Sequence, residues 1–134
     1  MTTTHTGSCH CGNVKFQVEI DPAKGTMCNC RICTKIGNRS GMVKPAAFKE
    51  LTPPSQHAEY PNQIGKRVFC PTCGVHTFGF GSLPELGGDF VSINLNALDG
   101  IDAYKVELMH WDGRHDNWHA GPRATPWPVF AETA

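Results

Sequence analysis

Met27-Cys28-Asn29-Cys30-Arg31-Ile32-Cys33 carries three thiols at C-x-C-x-x-C spacing. Cys9-His10-Cys11 lies upstream and Cys70-Pro71-Thr72-Cys73 downstream, and these three groups hold all seven cysteines of the chain. Seven is odd, so any disulfide scheme leaves a thiol over. Clusters at such short spacing favour metal ligation instead. Four thiols close one tetrahedral site, and the other three are where function is expected.

The wider composition sets the frame. A chain of 134 residues fits one domain, 1–134, with a modest core. It is 40% hydrophobic and 18% charged, which suits a globular fold. The formal net charge is zero, so no basic excess draws nucleic acid or an anionic membrane. No apolar run approaches the roughly 20 residues of a membrane span. Met1 to Gly7 has neither the charged start nor the apolar stretch of a signal peptide, so a cytoplasmic location is expected. Thiols there stay reduced, which again favours metal over disulfides.

Residues 1–8 read as a flexible lead. Val14, Phe16, Val18 and Ile20 then alternate with Lys15, Gln17 and Glu19, the pattern of a half-buried strand. Thr34 to Gly41 reads as a loop or a single helical turn. Pro45 to Leu51 reads as a short helix, with proline at its first position. Arg67-Val68-Phe69 and Thr77-Phe78-Gly79-Phe80 flank the Cys70/Cys73 pair as the arms of a hairpin. Phe90–Asn96 and Tyr104–Trp111 are further strand candidates. The segment from about residue 112 to 134 is rich in proline and aromatics and is expected to pack on the domain as an irregular tail. Many short strands with 14 glycines and 10 prolines predict a mainly β, antiparallel domain with little helix.

Cys70-Pro71-Thr72-Cys73-Gly74 has the form of a metal knuckle, in which glycine permits positive φ after the second ligand. Cys9-His10-Cys11-Gly12 ends in the same Cys-Gly pair and predicts a second, tighter knuckle. Together they predict a structural zinc held by Cys9, Cys11, Cys70 and Cys73. Structural zinc contributes about 10–16 kcal/mol of apparent binding energy, enough to decide whether such a domain folds. Cys28, Cys30 and Cys33 are then left for a second zinc with one open position, suited to a substrate thiol. Alternatives stand beside this reading. His10, His57 or His76 closes the shell, the three thiols are free, or one thiol changes site.

Other polar residues have simpler readings. His110, His115 and His119 read as surface or hydrogen-bonded histidines, and Asp112, Asp116 and Asn117 as turn residues. His76 is a candidate acid for the site. Arg31, Lys35 and Arg39 read as a solvated face, with recognition of an acidic thiol's carboxylates as the functional alternative.

Gly7-Ser8-Cys9-His10-Cys11-Gly12, Cys28-Asn29-Cys30-Arg31-Ile32-Cys33 and Phe69-Cys70-Pro71-Thr72-Cys73-Gly74 resemble the motifs of the glutathione-dependent formaldehyde-activating enzyme family, whose domain is shared with centromere protein V. Asp116-Asn117-Trp118 and Thr125-Pro126-Trp127-Pro128 resemble one branch of it. The resemblance implies a β-tent-like fold and two zinc ions on the cysteine sets just named. It implies a carbon–sulfur lyase acting on a thiol–aldehyde adduct, S-hydroxymethylglutathione, with glutathione and formaldehyde as partners. The rival readings are a non-catalytic zinc-stapled binding module or zinc carrier, and a redox sensor using Cys28, Cys30 or Cys33.

Overall fold

Phe16, Val18 and Ile20 are buried while Lys15, Gln17 and Glu19 face solvent. This strand is β2 (Lys15–Ile20), and its alternation builds one wall of the core. The computed structural model describes residues 1–130. The other strands among these residues are β1 (Thr3–Ser8), β3 (Lys24–Cys28), β4 (Ser40–Val43), β5 (Phe48–Glu50), β6 (Ala58–Pro61), β7 (Gly65–Phe69), β8 (His76–Leu83), β9 (Gly88–Asn94) and β10 (Glu107–Trp111). The α-helix is α1 (Arg31–Ile36), and single 3₁₀ turns complete the connections.

The strands form a three-stranded sheet, β1-β2-β5, and a seven-stranded sheet, β10-β3-β4-β9-β8-β7-β6. Both contribute to one core, in which Phe16, Val18, Val68, Phe78, Val91, Ile93 and Leu95 are buried. Phe16 meets Phe78 edge-on at 5.5 Å between centroids, and Phe48 meets Phe78 at 4.7 Å. The fold is mainly β with little helix, as the sequence predicts. One pairing departs from antiparallel order. β10 lies parallel to β3, with Trp111 opposite Cys28. Both strands therefore end at the same place, and the residues that follow each emerge side by side.

Three local expectations are corrected. Residues 3–8 of the supposed flexible lead form β1, registered against the whole of β2. Threonine suits a pleated edge although it supplies no apolar alternation. Ser8 Oγ and Thr6 Oγ1 also donate to Asp99, and Gly7 lies so close to the Phe16 ring that a Cβ there would collide with it. Pro45 to Leu51 is not a helix. Only Pro45–Ala47 makes a 3₁₀ turn, after which β5 pairs with β2. The aromatic contacts of Phe48 override its local helix preference. The Tyr104–Trp111 strand begins only at Glu107, because Ala103–Lys105 is a 3₁₀ turn capped by Asp102.

The described part of the tail contacts β10 at His110. Trp127 Nε1 donates to the His110 carbonyl at 2.9 Å, and His110 and Arg123 form an isolated bridge. Residues 131–134 of the predicted tail lie outside the described residues. Among the described residues no helix is long and apolar enough to cross a membrane.

Candidate metal centres

β7 and β8 make the predicted hairpin, and Cys70 and Cys73 form its tip. Gly74 has φ 78° and Gly12 has φ 84°, the left-handed geometry expected after each knuckle. The Thr72 and Cys73 amides point at Cys70 Sγ at 3.4 and 3.5 Å. The Val14 amide points at Cys9 Sγ at 3.3 Å. Amides aimed at sulfur favour thiolate over thiol.

The sulfurs of Cys9, Cys11, Cys70 and Cys73 lie within 4.8 Å of one another. Cys9 and Cys11 are 3.7 Å apart at sulfur, and Cys11 and Cys70 are 3.6 Å apart. A tetrahedron with zinc–sulfur bonds of about 2.3 Å has sulfur–sulfur edges of about 3.8 Å. These spacings suit such an ion. Amides of Cys11 and Val75 bring the Cys73 thiol down to about 6. The Asn13 amide pulls Cys11 down, but partial desolvation and the neighbouring thiols Cys70, Cys9 and Cys73 outweigh it and push it up to about 11. Four thiolates converging on one point repel, so a dication is the natural counter-charge.

Cys28 ends β3, and Cys30 stands at the N-cap of α1, with Cys33 on the helix. Their sulfurs also lie within 4.8 Å of one another, and among the described residues no fourth cysteine, histidine or acidic ligand atom joins them. Neighbouring thiols Cys28 and Cys33 draw Cys30 well below the ordinary thiol value. The same contact with Cys30 pushes Cys28 up. These directions favour the thiolate form at Cys30, with its neighbouring thiols donating to it.

The candidate fourth ligands lie elsewhere. His57 sits between Glu50 and Glu59, with Nε2 3.0 Å from Glu59 and Nδ1 against Glu50. His76 stacks on Phe69 at 5.3 Å. His10 is exposed within the first knuckle. Neither His10, His57 nor His76 belongs to the three-thiol group.

Two neighbours were not evident in the sequence. Arg67 reaches across from β7, placing Nη2 3.4 Å from Cys33 Sγ. Its Nε is buried without a partner among the described residues. The second neighbour is the segment after β10. Gly113 lies so close to Cys28 Sγ that a Cβ would collide with it and with the Trp118 ring. Asn29, between two of the cysteines, donates from Nδ2 to Asp112 Oδ1 at 2.8 Å and accepts at Oδ1 from the Arg114 amide at 2.9 Å. Arg114 Nε donates to the Asn29 carbonyl at 3.0 Å. Asp112, Asp116 and Asn117 do make a turn, as expected, but it is clasped onto the cysteine loop.

Arg31 and Lys35 flank an open groove of about 480 Å³ whose apolar lining comes from Ile32, Ile36, Tyr60 and Phe69, with His76 at one side. Arg39 does not join them. Its guanidinium lies over Tyr104 and donates to Asn96.

Residues 4–114 match the family described as glutathione-dependent formaldehyde-activating enzyme. The chain belongs to this family. The matched span contains all seven cysteines, so both thiol groups of this formaldehyde-activating family member fall inside it. A crystal structure of a Rhodobacter sphaeroides protein is similar in fold, with a TM-score of 0.63 at 23% identity over 74% of this chain and 92% of that one. Family membership and two cysteine groups able to hold metal are thus joined in one chain.

Proposed function

We propose that the chain is a zinc-dependent carbon–sulfur lyase that makes and breaks thiol–aldehyde adducts of the S-hydroxymethylglutathione kind. The observation that carries this reading is the group of Cys28, Cys30 and Cys33, gathered as three ligands without a fourth among the described residues. Catalytic zinc sites keep one position open in this way, whereas structural ones are closed by protein. Family membership supports the substrate class.

Cys9, Cys11, Cys70 and Cys73 hold the structural ion and tie β2 to the β7–β8 hairpin. Cys28, Cys30 and Cys33 hold the second. When bound there, zinc supplies Lewis acidity that keeps an incoming thiol deprotonated at neutral pH. The protein's own residues do the rest. Arg67 balances the negative charge of the thiol cluster from the Cys33 side. The groove along α1 receives the body of the thiol substrate, and Arg31 and Lys35 meet its carboxylates. Gly113 and the Trp118 ring lie against the Cys28 side. The chain works as one domain, and its reduced thiols suit the cytoplasm.

The test uses the zinc-loaded protein with glutathione and other thiols, each with formaldehyde, and follows adduct exchange by NMR. Acceleration that disappears in Cys30→Ala, with one of two zinc ions lost in native mass spectrometry, supports the reading. No acceleration across the panel would leave the zinc-stapled binding module in its place.

A further inference from the structure

Cleavage of a thiol–aldehyde adduct needs a group to take the hydroxyl proton, and the cysteines cannot supply it while they serve as ligands. The histidines of the chain differ in what their ring nitrogens face. Both nitrogens of His57 face carboxylates, of Glu50 and Glu59, so neither is left for chemistry. His76 stacks on Phe69 without a carboxylate to orient it. His115 is different. Its Nδ1 lies 2.7 Å from Asp112 Oδ1, among the described residues nothing bonds its Nε2, and its side chain is 48% exposed.

Asp112 is anchored where this matters. Its side chain is 8% exposed, and Oδ1 also accepts from Asn29 Nδ2, the residue between Cys28 and Cys30. Asn117 Nδ2 donates to Oδ2 at 3.3 Å. The imidazole and the cysteine loop thus share one oxygen atom. Burial pushes the Asp112 carboxyl up, but the hydrogen bonds from Asn29, His115 and Asn117 outweigh it and hold it below the ordinary carboxylate value. An ionised carboxylate only accepts, so the proton of neutral His115 sits on Nδ1 and the lone pair on Nε2. Asp116 takes the left-handed conformation, φ 49°, immediately after His115 and turns the chain back toward Trp118. The parallel pairing of β10 with β3 brings this turn to the cysteine loop.

We propose that His115, oriented by Asp112, is the proton acceptor and donor of the three-thiol site. The inference rests on the carbon–sulfur reading above. In the cleavage direction the O–H bond of RS–CH₂–OH breaks and its proton passes to His115 Nε2. The O–H electron pair forms the C=O bond as the C–S bond breaks, and the C–S pair stays on sulfur as thiolate. In the forming direction the thiolate attacks the carbonyl carbon, and the Nε2 proton passes to the new oxygen. No electrons leave or enter. Asp112 is a positioning residue, fixing the tautomer through Nδ1.

Two measurements on the zinc-loaded protein test this. The first is kinetic, with glutathione and formaldehyde. His115→Gln should slow adduct exchange by roughly 10²-fold or more, the ordinary worth of general acid–base catalysis, while both zinc ions remain in native mass spectrometry. Added imidazole should restore part of the rate to His115→Gly and nothing to Cys30→Ala. A His115→Gln rate within threefold of wild type, or a loss that tracks zinc content, would overturn the assignment, as would the same loss and rescue appearing at His76 instead. The second measurement needs no turnover. The ¹⁵N shifts of the His115 ring should report Nδ1–H, should change to the other tautomer in Asp112→Asn, and should move at Nε2 when glutathione is added. Should the wild type prove inert toward every thiol–aldehyde pair, the lyase reading falls, and the shifts then decide the inference. A moving Nε2 keeps His115 as the proton partner of the bound thiol, and a static one removes it.

Discussion

Arg67 is a cation placed beside a cluster of thiols that no nearby carboxylate balances. Three thiolates around a dication would leave one net negative charge, and the guanidinium 3.4 Å from Cys33 Sγ would offset it. Groups that contact a ligand in this way tune metal affinity by about 10–100-fold. Arg67→Met should therefore weaken the second ion by that factor and leave the four-thiol ion in place. Chelator competition followed by native mass spectrometry checks this, and equal weakening of both ions would count against it. The seven cysteines could be read from the chain because knuckle spacing is local and glycine marks each turn. Arg67 and Asp112 could not. Asn29 and Asp112 are 83 residues apart, and nothing in either segment announces the other.

At the scale of elements, legibility follows apolar alternation. β2 and the β7–β8 hairpin bury alternate or consecutive apolar residues and were readable as strands. β1 was not, because its sequence is threonine, histidine, glycine and serine, and only pairing with β2 reveals it. The same holds for β5, whose short run follows a proline and looks helical until Phe48 finds Phe16, Phe78 and Phe80. β1 matters because it forms one edge of the small sheet and leads directly into Cys9. Gly7→Val would drive a side chain into the Phe16 ring. Overpacking of this kind costs about 1–3 kcal/mol. The expected outcome is a lower urea midpoint with an unchanged slope, and with two zinc ions still bound. An unchanged midpoint would show that β1 adds nothing to stability.

For the whole molecule, the two thiol groups make different demands on the fold. The four-thiol group joins the end of β1, through Cys9 and Cys11, to the β7–β8 hairpin, so an ion bound there would span both sheets. The three-thiol group is local to β3, α1 and the turn after β10. Removal of metal should therefore proceed in two stages, the second ion leaving without loss of the β signal and the first leaving with unfolding. Acid should act through the same thiols. The folded-state value of Cys73 is depressed to about 6, so its thiolate contributes stability that is complete above the ordinary thiol value of about 9. That contribution shrinks below 9 and is lost as the pH falls through about 6. Cys70 is shifted down too, by the amides of Cys73 and Thr72, so two of the four thiols favour the thiolate form. Zinc release measured with a chromophoric indicator should be slight at pH 7 and steep between about pH 6 and 5, with circular dichroism of the strands falling along the same curve. Release of the first ion at pH 7, or release with the strand signal intact, would show that this ion does not hold the two sheets together.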